Sequence, residues 1–141
     1  MPKSYFILLL TSLLCSLSRA DVNIVTTIKP LQMIAEAVVQ EYGSVSSIVD
    51  PQQSPHHFNV SPSDRVNLAR ADIAVWIGPL FETHISDFFE QAGFKAKTIT
   101  VIDTLGLQLH SVGDGQIDAH LWLNSSNAVR IAKAIAERAA E

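Results

Sequence analysis

The sequence is almost without cysteine: its one thiol, Cys15, falls within the first twenty residues. Those residues read as a removable leader, so the rest of the chain can form neither an intrachain disulfide nor a thiolate metal site. Any bound metal must be held by nitrogen and oxygen. Basic residues are also few. Ten Lys and Arg stand against fourteen Asp and Glu; without Lys3 and Arg19 of the leader, eight stand against fourteen, a formal charge of −6. That balance argues against a nucleic-acid partner. The apolar run at the start is shorter than the roughly 20 residues that cross a bilayer. HExxH and GxSxG motifs are missing, as are internal repeats and low-complexity linkers, and the chain is expected not to be an enzyme.

What is present begins with Lys3 and an apolar stretch over residues 7–17, broken by Thr11, Ser12, Cys15 and Ser16. Small residues, Ser18 and Ala20, stand three and one before Asp21. This is the pattern of a secretory signal peptide over residues 1–20. Leu14 before Cys15 argues against a lipoprotein signal, which has a small residue there. Residues 21–141 remain, enough for one domain with a real core.

Strand-like and helix-like segments then alternate. Residues 22–28 are rich in β-branched side chains, while Leu31, Ile34, Ala35, Val38, Val39 and Tyr42 recur at helical spacing, with Gly43 as the expected stop. A second strand is expected over 45–49, a short helix from the Ser61-Pro62-Ser63-Asp64 start to about Arg70, and a third strand over the apolar run 73–77. Phe81, Ile85, Phe88, Phe89 and Ala92 make one helical face closed by Gly93, and 98–102 is a fourth strand. Residues 105–117 read as a glycine-containing loop and 118–123 as a strand or rigid segment. A last helix capped by Asn124 carries a stripe of Ala128, Ile131, Ala132, Ile135, Ala136 and Ala139. The fold expected is α/β, a parallel doubly wound sheet of about four strands, with ligands bound beyond the carboxyl ends of the strands.

The residues with metal-binding chemistry are mostly histidines. His56 and His57 lie in a loop bounded by Pro55 and Pro62, and spacing alone does not choose between them because adjacent side chains point apart. His120 sits between apolar residues and reads either as a core group bonded to backbone or as a ligand. His84 reads as a surface residue and His110 as a weak, mobile contact. Glu82 and Asp118 read as surface charge or helix caps, or as groups that touch the metal or orient an imidazole. Trp76 and Trp122 read as core and wall.

Thr27-Ile28-Lys29-Pro30, the segment SPHHFNVSPSD from Ser54 to Asp64, the run Ala71-Asp72-Ile73-Ala74-Val75-Trp76-Ile77-Gly78-Pro79 and His120-Leu121-Trp122-Leu123 follow a leader in that order. Together they resemble the N-terminal lobe of periplasmic zinc-binding proteins of the ZnuA type. These are receptors of ABC uptake transporters in the cluster A-I (cluster 9) family of solute-binding proteins. The resemblance implies one lobe of a two-lobe protein, zinc as cargo, a membrane permease as partner and the periplasm as location. It puts His56 and His120 in the places of the family's first two histidine ligands and His57 at a variable position.

The same resemblance implies a second lobe, joined by a long helix, that supplies a third histidine and an acidic ligand. Residues 21–141 are therefore expected to be a truncated N-terminal lobe. The family's His/Asp-rich loop is represented only by His110 and Asp114. Manganese-binding members share the two histidines, while Pro62-Ser63-Asp64 leans towards zinc. A non-functional truncated lobe is the rival reading. An exposed lobe face could self-associate, and a dimer could offer four imidazoles to one zinc. Since imidazole binds metal only when neutral, affinity is expected to fall below roughly pH 6.5.

Overall fold

The computed structural model describes residues 21–50 and 52–141; the expected signal peptide lies outside the described residues. Four parallel strands form the main sheet: β1 (Val22–Thr26), β2 (Gly43–Ser47), β3 (Ile73–Trp76) and β4 (Thr98–Thr100), in the order β2-β1-β3-β4. Val22 faces Gly43 across the first pair, Ile24 faces Ile73 across the second and Val75 faces Ile99 across the third. β1 and β3 are central, and their Ile24, Val25, Ala74, Val75 and Trp76 are buried. Such continuous apolar runs are what strands covered on both faces require. The expected parallel α/β sheet is what the structure has.

Helix α1 (Lys29–Val39) follows β1 and buries Leu31, Ala35 and Val39. Helix α2 (Pro62–Arg70) leads into β3. With right-handed crossovers, α1 runs from β1 outward to β2 on one face, and α2 returns past β1 to β3 on the other. The last helix, here α5 (Ser125–Ala139), packs against α1 and buries Ile131 and Ile135. Trp76 stacks on Phe89 at 4.6 Å and donates its Nε1–H to Thr100 Oγ1 at 2.9 Å, so its indole is buried and bonded. Among the described residues no helix is long and apolar enough to cross a membrane.

Several expected elements differ in detail. Gly43 does not stop α1; a 3-10 turn, Gln40–Tyr42, intervenes, and Gly43 is the first residue of β2. A Cβ at Gly43 would lie 2.6 Å from the carbonyl oxygen of Val22, so close strand approach explains the glycine. The strand β2 ends at Ser47 rather than Val49, as a serine-rich edge.

The single helix expected over 81–92 is instead a 3-10 turn, Thr83–Ile85, followed by α3 (Ser86–Phe89) and α4 (Ala92–Lys95). Extended backbone at Gln91 breaks it, and the Ser86 hydroxyl bonds back to Thr83 O at 2.9 Å. Residues 105–117 include a small antiparallel hairpin, β5 (Ser111–Val112) and β6 (Gln116–Ile117).

The end of α2 is closed by a side chain from a distant part of the chain. Lys97 Nζ donates to the carbonyls of Leu68, Ala69 and Ala71 at 2.8, 2.9 and 2.9 Å. These are among the carbonyls that a helix end leaves without partners. Partial burial pulls the ammonium below its ordinary value, with Asp72 opposing. Lys97→Met keeps the stem but removes the three bonds, and is expected to lower unfolding stability by about 1–3 kcal/mol. Superimposable urea denaturation curves for the two proteins would contradict this role.

Candidate metal centre

Three segments converge beyond the carboxyl ends of β1, β2 and β3. The first is the histidine loop. The strand β2 hands over through Ile48 N to Thr26 O and Val49 N to Thr27 O, both 3.0 Å. Asp50 then turns the chain, its Oδ1 accepting from Gln52 N at 2.8 Å. At the far end Ser61 and Asp64 form a capping box at the start of α2, Ser61 N donating to Asp64 Oδ2 at 2.8 Å. The loop is thus anchored at both ends, with buried Phe58 between them, while His56 and His57 are exposed.

The second segment carries His120. Residues 118–123, expected as a strand or rigid segment, are not a strand: Leu121–Leu123 is a 3-10 turn. The cause is Asp118, whose Oδ1 accepts from the His120 backbone N–H at 3.0 Å and folds the chain over. The same oxygen lies 2.7 Å from His120 Nδ1. An ionised carboxylate can only accept, so Nδ1 carries a proton, and in the neutral ring Nε2 keeps its lone pair. Bonds from the His120 backbone and then from its ring hold the Asp118 carboxyl below its ordinary value. Of the roles expected for Asp118, orienting an imidazole is the one its geometry matches. His120 is not a core group either: Ala119 and Leu121 are buried on each side, and its own side chain is 44% exposed.

Buried Asn127 on α5 steadies this segment. Its Nδ2 donates to Gln108 O at 2.9 Å and Leu121 O at 3.1 Å, and its Oδ1 accepts from Gln108 N at 2.7 Å. Sequence reasoning passed over Asn127; a buried amide on the core side of an otherwise apolar stripe is the signal it left.

The third segment is Gly78-Pro79-Leu80-Phe81-Glu82. Gly78 has φ +129°, and its carbonyl accepts from both Phe81 N and Glu82 N at 3.0 Å. Phe81, expected only as part of a helix face, is the common wall of the site. Its ring centroid lies 4.4 Å from that of His56, 5.4 Å from His120 and 5.3 Å from Trp122. The rings of His56 and His120 are themselves 5.9 Å apart at 68°. Sixty-four residues of sequence separate the two, and the fold brings them together.

Glu82 differs from every role expected of it. It is fully buried: its Oε1 accepts from the Thr27 hydroxyl and its Oε2 from Gly78 N at 3.1 Å. Burial pushes its carboxyl from an ordinary 4.5 up to about 7, opposed by those bonds and one from the Ile77 backbone. His84 is exposed, as expected, its ring centroid 4.9 Å from that of Phe58 in an edge-on arrangement. His110 shares an open cleft with Asp118 and His120. His57 is exposed and its backbone donates to Ser54 O at 3.2 Å. Among the described residues no group of three or more histidine, cysteine, aspartate or glutamate side chains is placed to hold a metal ion.

Comparison with known proteins adds an independent set of observations. The family model ZnuA, zinc-uptake complex component A periplasmic, matches residues 24–141. The high-affinity zinc uptake system protein ZnuA of Brucella abortus is 33% identical over 106 residues, covering 74% of this chain and 32% of that protein. The iron-binding protein YfeA of Yersinia pestis is 28% identical over 120 residues, covering 82% and 39%. The fold is similar to that of the periplasmic zinc-binding protein TroA from Treponema pallidum. The TM-score is 0.72 at 22% identity, with 83% of this chain and 43% of that one covered. The chain spans about a third to two fifths of the length of these curated relatives.

Proposed function

Because this chain belongs to the ZnuA family of periplasmic zinc-uptake components, we propose that residues 21–141 are the N-terminal lobe of a periplasmic metal receptor. In this reading it captures zinc with His56 and His120 and presents it to the membrane permease of an ABC transporter. The observation that carries the reading is the meeting of these two imidazoles, 5.9 Å apart, from loops on the binding edge of the sheet. Two imidazoles on one tetrahedral zinc, with Zn–N of 2.0–2.1 Å, would have ring centroids about 5 Å apart. The observed pair is close to that without metal. Water, or donors outside residues 21–141, would fill the remaining positions.

Each imidazole has a defined task. His120 offers Nε2, because Asp118 holds Nδ1–H; this arrangement fixes the tautomer and the ring orientation. His56 packs on the same Phe81 ring, its centroid 4.4 Å away, on a loop anchored by the capping box. Nitrogen donors favour zinc over manganese, which prefers oxygen. Manganese or iron capture is the alternative for the same two histidines, and the resemblance to an iron-binding relative keeps it in the test.

The test is competitive titration of zinc, manganese and iron(II) against a chromophoric chelator, in the wild type and in His56→Ala, His120→Ala and Asp118→Asn. Zinc is expected to bind most tightly, and either histidine variant to lose at least about tenfold in affinity. Asp118→Asn should lose about 10–100-fold, as other outer partners of metal-bound imidazoles do. Zinc affinity unchanged in both histidine variants would sink the assignment, and manganese binding ahead of zinc would transfer it to the alternative.

A further inference from the structure

A fully buried carboxylate is an expensive choice at a position where an apolar residue would pack, and Glu82 touches no imidazole through any bond described above. Its two hydrogen-bond partners explain it. Gly78 N needs an acceptor inside the protein, and Glu82 Oε2 provides one, closing the turn from 78 to 82 on itself. Thr27, at the exit of β1, donates its hydroxyl to Oε1. The backbone of Thr27 reaches both neighbouring strands: its N–H donates to Val75 O and its carbonyl accepts from Val49 N, each at 3.0 Å. Val49 is the last buried residue before the chain turns into the histidine loop. One side chain therefore ties the turn bearing Phe81 to the exit of β1, where the Thr27 carbonyl in turn holds Val49 at the head of the histidine loop.

We infer that Glu82, acting with Thr27, is the positioning residue of the histidine pair: its clasp fixes the turn carrying Phe81, and Phe81 sets where His56 and His120 stand. The inference rests on the reading of those histidines as the metal-holding pair. Phe81 is the adjacent residue, and its ring touches both imidazoles. The clasp holds the backbone of the turn at both ends, so the ring has one place to sit. Glutamine can imitate the clasp, its Oε1 accepting from Gly78 N while its amide donates to Thr27 Oγ1. Alanine cannot.

The experiment compares the purified wild type with Glu82→Ala, Glu82→Gln and Thr27→Val by two readouts. Without metal, NMR cross-peaks between the Phe81 ring and the imidazoles of His56 and His120 report ring placement. With zinc, chelator competition reports affinity, corrected for the folded fraction. Glu82→Gln is expected to keep both the cross-peaks and the wild-type affinity. Glu82→Ala should lose cross-peaks and bind zinc about tenfold more weakly, in the range seen when partners that orient metal ligands are removed. Thr27→Val should fall between.

A folded Glu82→Ala or Thr27→Val protein with wild-type cross-peaks and affinity overturns the inference, since a merely structural clasp would lower stability and leave both unchanged. If Glu82→Ala does not fold, Thr27→Val decides. If His56→Ala and His120→Ala leave zinc binding intact, the ligand reading has failed, and the metal-free cross-peaks alone judge Glu82.

Discussion

Between pH 4.5 and about pH 8, the wild-type protein is expected to lose on the order of 3 kcal/mol of stability that Glu82→Gln does not lose. The sign follows from the direction of the shift. Burial raises the Glu82 carboxyl from an ordinary 4.5 to about 7 in the folded protein. Between those values the folded state holds a proton that the unfolded state has released. The contribution is fully present below the unfolded value and disappears as the pH rises through the folded one. Glutamine carries no such proton, so the difference in unfolding free energy between variant and wild type should grow with pH across this window. Asp118, held low, contributes with the opposite sign at more acidic pH. Urea denaturation at four or five pH values measures the difference directly, and parallel curves for the two proteins would show that Glu82 does not titrate there.

Replacing Phe81 by alanine should have the largest single effect on the site. The ring is 4% exposed and packed between His56, His120 and Trp122. Large-to-small changes at buried phenylalanines cost about 3–5 kcal/mol, through lost burial and the cavity left behind. Here the cavity opens beneath both imidazoles, so stability and zinc affinity should fall together. Phe81→Leu separates the two effects. It restores most of the volume and hence most of the stability, but it offers no ring against which the imidazoles can stack edge-on. Denaturation midpoints and zinc competition on the same samples check this, and a leucine variant with full wild-type affinity would reduce Phe81 to a space filler.

The sheet was legible in the sequence because its central strands are uninterrupted apolar runs, Ile24-Val25 and Ile73-Ala74-Val75-Trp76, that suit burial on both faces. The capping box at Ser61 was equally plain, since its chemistry is local. Gly43 misled because helix-stop glycine and close-approach glycine look alike until the neighbouring strand is known. Residues 118–123 read as a strand or rigid segment, but Asp118 takes the His120 N–H and turns the backbone.

The two histidines could be named as candidates from their chemistry and from the family resemblance. What organises them could not. Phe81 has the spacing of an ordinary core residue, and its contact with rings at positions 56, 120 and 122 is a property of the fold. Glu82 carries a charge that normally means solvent, and only the donors gathered at the ends of β1 and β3 explain its burial.

The strand order also bears on how the chain assembles. Among the described residues, the first strand in the sequence lies in the interior of the sheet, between β2 and β3. Its contact with β2 and α1 closes within about twenty residues of sequence, a local unit able to form early. The opposite edge of β1 has no partner until residues 73–75 arrive. Until then an apolar edge with unpaired backbone groups stays open, the condition under which nascent chains mispair or aggregate. Closure of that edge by β3, a non-local step, is therefore the expected slow stage of folding. Chains stopped short of Ile73 should be recovered as aggregates, whereas those extended through Trp76 gain the partner that covers this edge of β1.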